Sequence, residues 1–145
     1  MAREKYYVKK NQEESMEKNS MVICDTNIII ELFKNNERVK TMCLQVGENN
    51  LCISAITTAE LYFGAFDKTE MSKIKGYIFN FPVLHFNDDI SQIFLDLMFR
   101  YSLNHRPFIG DMIIAATAIY YNIPLLTLNI KDFRFIDELH LYVSR

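Results

Sequence analysis

The sequence predicts an α/β fold: a three-layer α/β/α sandwich around a mostly parallel central sheet of about five strands. Three observations predict it. Short runs such as "MVICD" (21–25), "LCIS" (51–54) and "PLLTLN" (124–129) are too apolar to leave one face in water, which suits strands covered on both sides. Longer segments with apolar residues at helical spacing lie between them, the alternation of a helix-covered parallel sheet. The chain has 145 residues, half of them apolar, enough for one continuous core.

The elements follow in order. Residues 1 to 20, "MAREKYYVKKNQEESMEKNS", are dominated by Lys, Glu, Asn, Gln and Ser, with little to bury, and predict a mobile polar extension, docking through Tyr6, Tyr7 and Val8 being the alternative. The folded domain is expected over 21 to 145. "MVICD" is the first strand and "TNIIIELFKNN" a helix capped near Thr26 or Asn27; a second helix covers about 37 to 47. "LCIS" is the second strand, followed by "AITTAELYFGAF", with helical spacing at Ile56, Ala59, Leu61 and Phe63. A helix near 69 to 79 leads to a third strand, "FPVLHF". Helices at about 87 to 104 and 110 to 122 precede the fourth strand, "PLLTLN"; a turn, "IKDF", then leads to an expected fifth strand, "LHLYV".

Composition narrows the function. Net charge is −2, so no global basic field draws nucleic acid, and any such contact is local. Cys24, Cys43 and Cys52 are odd in number and lack a CxxC spacing, as expected of reduced core residues rather than a metal or redox site. No apolar run reaches the roughly 18 to 20 residues of a membrane span, and the first residues lack a signal-like apolar stretch. A soluble cytoplasmic protein without membrane contact is expected.

Asp25 raises the sharpest question, because it ends an apolar strand and an unpaired carboxylate costs several kcal/mol to dehydrate. In open parallel sheets the ligand crevice lies at the C-terminal strand ends. Asp25 follows the first strand, Glu60 lies in the helix after the second, Asp111 opens the helix "GDMIIAATAIYY", and Asn129 and Asp132 follow the fourth strand. Each has a plain structural explanation. Thr57-Thr58-Ala59-Glu60 matches a capping box, Asp111 after Gly110 and Asn129 before Asp132 can be caps, and Asp25 can accept from the next helix's first N–H groups.

Taken together they point further. Capping groups have no reason to share one sheet edge, whereas a hard divalent cation gathers oxygen ligands from several segments. His85, His105 and His140 are scattered without H-x-x-x-H spacing, so carboxylates without imidazole or thiolate favour Mg²⁺, with Mn²⁺ the alternative. Such a cluster suits phosphodiester hydrolysis, with Glu60 or Asp132 as proton acceptor.

The stretches "VICDTNIIIELFK", "ISAITTAELYFGA" and "GDMIIAATAIYYNIPLLTLNIKDF", with the final strand region, span most of residues 21 to 143. In their order and residues they resemble the PIN-domain ribonucleases, specifically the VapC-type toxins of toxin–antitoxin pairs. The resemblance implies a Mg²⁺-dependent endoribonuclease acting on RNA, usually a homodimer, held inactive by a cognate antitoxin protein. By motif position Asp25, Glu60 and Asp111 are the acidic metal-site residues, with Asp25 and Asp111 as direct ligands. Asn27 and Thr127 through Asn129 are implied supporting groups. Many relatives carry Asp where Asn129 stands, so either Asp132 fills that position or one metal is held firmly.

Arg106, Lys131 and Arg134 flank these motifs and are candidate phosphate contacts, with a solvated surface as the plain alternative. The apolar stripe Ile28, Ile29, Leu32, Phe33, Leu61 and Phe66 is mostly core, with part available to an antitoxin helix or a second copy. Three rival functions remain: a PIN-like domain that binds RNA or protein without cutting, a receiver-like switch domain, and a haloacid-dehalogenase-type phosphatase. The receiver needs an acidic pair after the first strand, where Asp25 stands alone, and the phosphatase needs an acid where Asn27 stands.

Overall fold

The structure, a computed structural model, describes residues 20–143. The polar extension expected at 1 to 20 therefore falls, but for Ser20, outside the described residues. Four strands, β1 (Val22–Cys24), β2 (Leu51–Ser54), β3 (Val83–Leu84) and β4 (Leu125–Leu126), form one sheet in the order β3-β2-β1-β4. Every pairing is parallel, with Ile23 opposite Cys52 and Leu125, and Ile53 opposite Val83. Among the described residues six α-helices surround it: α1 (Thr26–Phe33), α2 (Glu37–Val46), α3 (Ala55–Phe63), α4 (Lys68–Ile78), α5 (Asp88–His105) and α6 (Ile109–Tyr121).

Strand alternation divides the core into two layers. Ile23, Cys52, Leu84 and Leu125 pack with Leu97 of α5 and Met112 and Ala115 of α6. Val22, Cys24, Leu51 and Ile53 face the other way, onto Ile28 and Ile29 of α1, Val39 and Cys43 of α2, Leu61 of α3 and Ile74 of α4. The three-layer expectation holds. Cys24, Cys43 and Cys52 are buried thiols outside any disulfide, and burial pushes the Cys24 thiol well up and that of Cys43 to about 11, so all three act as small core residues.

The expected fifth strand is corrected. Residues 139–143 contribute a single parallel bridge, Leu141 to Leu125, held by the Leu125 N–H on the His140 carbonyl (2.9 Å) and the Tyr142 N–H on the Leu125 carbonyl (2.8 Å). β4 is only two residues long, so the alternating "LHLYV" finds one residue to pair with, and the sheet has four strands.

Helix ends follow local chemistry. α5 begins at Asn87, whose Oδ1 accepts the Ile90 N–H at 2.8 Å, with Asp88 and Asp89 in the positive first turn. Replacing Asn87 with Ala should cost about 1 kcal/mol, read as a fall in Tm of about 4 °C for a domain of this size; an unchanged Tm would mean that this cap contributes nothing.

Candidate active site

Parallel strands put the C-terminal ends of β1, β2 and β4 on one edge, and β1 and β4 are neighbours. Asp25 leaves β1 there, and Thr127 leaves β4 beside it. Asp25 is 4% exposed; its Oδ1 accepts the Thr26 N–H at 2.8 Å and its Oδ2 accepts the Thr127 hydroxyl at 2.7 Å. Asp25 is therefore the cap of α1 and also a member of a tertiary cluster. Burial raises its pKa, the two hydrogen bonds oppose that, and Glu60 and Asp132 add to the rise.

Glu60 arrives from α3. The capping box expected at Thr57 to Glu60 is absent, because Ser54 caps this helix three residues earlier, its Oγ accepting the Ile56 N–H at 3.2 Å. Helix formation from Ala55 buries Thr57 completely and carries Glu60 one turn beyond it. Glu60 Oε1 accepts the Thr26 hydroxyl at 2.8 Å. A Cβ placed on Gly110 would stand 3.1 Å from Glu60 Oε2, so this carboxylate rests on the start of α6.

Asp111 sits in the first turn of α6, but the cap position belongs to Phe108 and no side chain bonds there; the capping explanation fails for Asp111. Half-buried, it is pushed up to about 7 by burial and then by the negative charges of Asp25, Asp132 and Glu60. Asp25 and Asp111 thus each feel the carboxylates of Glu60 and Asp132, which come from distant segments. Asp132, half-buried, lies in a 3₁₀ turn, Ile130–Asp132, whose side-chain cap by Asn129 is not formed.

The donors suit a hard cation. They are all oxygens, they repel one another, and the Asn27 Oδ1 is buried without a hydrogen-bond partner on the helix that Asp25 caps. Among the described residues no three Asp, Glu, His or Cys side chains form a ready-made ligand set for one ion. Mg²⁺ commonly keeps several waters and takes one or two carboxylates directly, and the pair singled out as ligands in the sequence, Asp25 and Asp111, is of that kind.

The periphery is looser. Asn129 is exposed and bonds through its backbone, its N–H donating to Thr127 Oγ1 at 3.0 Å and its carbonyl accepting the Asp132 N–H at 3.0 Å. Arg106, Lys131 and Arg134 are exposed, and none is among the groups acting on Asp25 or Asp111. Sequence reasoning passed over Thr26, Thr57 and Gly110 as site residues; the adjacency of Thr26 to Asp25 was the available signal. An apolar groove of about 380 Å³, lined by Ile29 and Phe33 of α1, Glu60 and Leu61 of α3 and Ile74 and Tyr77 of α4, opens onto Glu60.

A family model, the PIN domain, matches residues 22–139. The chain belongs to the PIN-domain family. A relative named Ribonuclease VapC, from Rickettsia bellii, is 32% identical over 131 residues, covering 81% of this chain and 92% of its own. Among solved structures, VapBC-1 from nontypeable Haemophilus influenzae superposes with a TM-score of 0.71 at 30% identity, covering 84% of this chain and 96% of that one. VapBC2 from Rickettsia felis, bound to a DNA fragment from their promoter, gives 0.72 at 25% identity over 86% of this chain and 99% of that one. Membership in the PIN-domain family removes the receiver-like and phosphatase alternatives.

Proposed function

We propose that this PIN domain is a divalent-metal-dependent endoribonuclease that hydrolyses RNA phosphodiester bonds as the toxin of a toxin–antitoxin pair. One observation supports the reading: the negative charges of Glu60 and Asp132 bear on both Asp25 and Asp111, and Asp25 bears on Asp111, an arrangement that a cation and a phosphate can use. The relative named Ribonuclease VapC supports the substrate class.

Asp25 and Asp111 would hold Mg²⁺ or Mn²⁺, with Glu60 completing the acidic set and Asn27 and Thr127 orienting it. When bound, the ion polarises the phosphate and neutralises charge in the transition state. Thr127 and the Thr26 N–H fix both oxygens of Asp25, so that carboxylate needs no reorganisation as the reaction proceeds. Glu60 or Asp132 takes the proton of the water that adds to phosphorus, while the P–O bond breaks and the leaving oxygen takes a proton from solvent. Asn129 offers oxygen without charge, and Arg106, Lys131 and Arg134 meet phosphates from the rim.

A protein antitoxin is the regulatory partner. Solved relatives titled as VapBC and toxin–antitoxin complexes support it, and the apolar groove beside Glu60 has the lining that an amphipathic helix needs. The Leu95, Phe99 and Leu103 stripe on α5 is exposed and supports a homodimer. Reduced buried cysteines and the lack, among the described residues, of a helix long and apolar enough to cross a membrane accord with work in the cytoplasm.

Purified chain free of antitoxin should cut bulk RNA with Mg²⁺ and stop when EDTA is added. RNA bound but uncut would favour the noncatalytic reading that Asn129 invites; cutting that persists in EDTA would contradict a metal-dependent site.

A further inference from the structure

We propose that Thr26 and Gly110 are positioning residues that place the Glu60 carboxylate against the start of α6, Thr26 by a donated hydrogen bond and Gly110 by its missing side chain. Glu60 is exposed, and a long side chain in solvent samples many rotamers unless contacts select one. Two contacts do so here. Thr26 Oγ1 donates to Glu60 Oε1 at 2.8 Å, and Thr57 Oγ1 lies 2.9 Å behind it.

The direction of that chain follows from proton count. An ionised carboxylate only accepts and a hydroxyl has one proton, so Thr26 gives its proton to Glu60 and Thr57 donates to Thr26. Thr57 is fully buried one turn before Glu60 on α3, which anchors the Thr26 hydroxyl from behind.

Gly110 acts on the opposite oxygen. It is helical and is not among the residues with positive φ, so its backbone has no need of glycine, and Ala is the better helix former. A Cβ there would stand 3.1 Å from Glu60 Oε2, tight enough that the carboxylate must give by a few tenths of an ångström, and in ordinary contact with Oε1 at 3.5 Å. Helix stability favours Ala at this position; the present place of Glu60 favours Gly.

The inference rests on the nuclease reading of this site, and its test separates the two. Thr26→Val, Thr26→Ser and Gly110→Ala are made alone and with Glu60→Gln, and each is measured for RNA cleavage, Tm and Mn²⁺ affinity by electron paramagnetic resonance. Thr26→Val and Gly110→Ala should each lower kcat about 10-fold with KM nearly unchanged, Thr26→Ser should recover most of the rate, and neither loss should recur once Glu60 is Gln. Gly110→Ala should keep or raise Tm while weakening Mn²⁺ binding. Parent-like rates in Thr26→Val and Gly110→Ala beside an inactive Glu60→Gln, or losses that add to it, would overturn the proposal. If the parent itself does not cut RNA, the nuclease reading fails and Mn²⁺ affinity decides: weakening in Thr26→Val and Gly110→Ala but not Thr26→Ser supports positioning, and equal affinities overturn it.

Discussion

Asp111→Asn should raise the Tm of the metal-free protein at pH 8 by about 4 °C, on the order of 1 kcal/mol once solvent screening of half-exposed carboxylates is allowed for. The same change should lower RNA cleavage at least about 100-fold, because charge that stabilises the transition state is lost. The opposed effects share one cause. Burial and the carboxylates of Asp25, Asp132 and Glu60 push Asp111 from 3.8 up to about 7. The folded protein therefore keeps this proton to a higher pH than the unfolded chain. Between about pH 4 and pH 7 the native state binds more protons, so stability falls as pH rises through that window, and the full penalty is present above it. Metal-free parent should accordingly melt higher at pH 5 than at pH 8 as far as this group is concerned, and Asp111→Asn should flatten that slope. Differential scanning calorimetry at both pH values checks it; a lower Tm for Asp111→Asn at pH 8 would show that no such repulsion exists.

Asp25→Asn should also cost at least about 100-fold in cleavage, with the fold intact. The Asn oxygen can take the place of Oδ1 and accept the Thr26 N–H, while its amide donates to Thr127 Oγ1 in place of Oδ2. The hydrogen bonds are rearranged rather than lost, and a buried charge is removed, so Tm should stay within about 3 °C of the parent. Circular dichroism melts beside the RNA assay separate the two quantities. Collapse of the fold would make Asp25 a structural cap first, and retained cleavage would remove it from the catalytic set.

How much of this was legible in the sequence depended on the range of each interaction. The strand at Val22–Cys24 and its terminal Asp25 were plain, because an apolar run broken by one carboxylate is a local signal. The expectation that Asp25, Glu60, Asp111 and Asp132 meet came from topology, since parallel strands share a C-terminal edge. Motifs that compete with neighbours were less legible: Thr57 to Glu60 fits a capping box, but Ser54 reaches the helix start first. "LHLYV" has strand alternation, yet pairing needs a partner of equal length, and β4 is too short. Thr26 was marked only by its adjacency to Asp25, and Gly110 by nothing. Their contacts with Glu60 arise only when α1, α3 and α6 meet, and no spacing in the sequence records that meeting.

The shared-ion account is tested most directly by titrating Mn²⁺ into metal-free protein and counting free ion by electron paramagnetic resonance, at pH 6 and pH 8, for parent, Asp25→Asn and Asp111→Asn. The account predicts saturable binding by the parent, tighter at pH 8 because Asp111 must lose its proton near pH 7, and binding weakened at least about 10-fold in either variant. Equal binding by all three proteins, or none by the parent at pH 8, would contradict it.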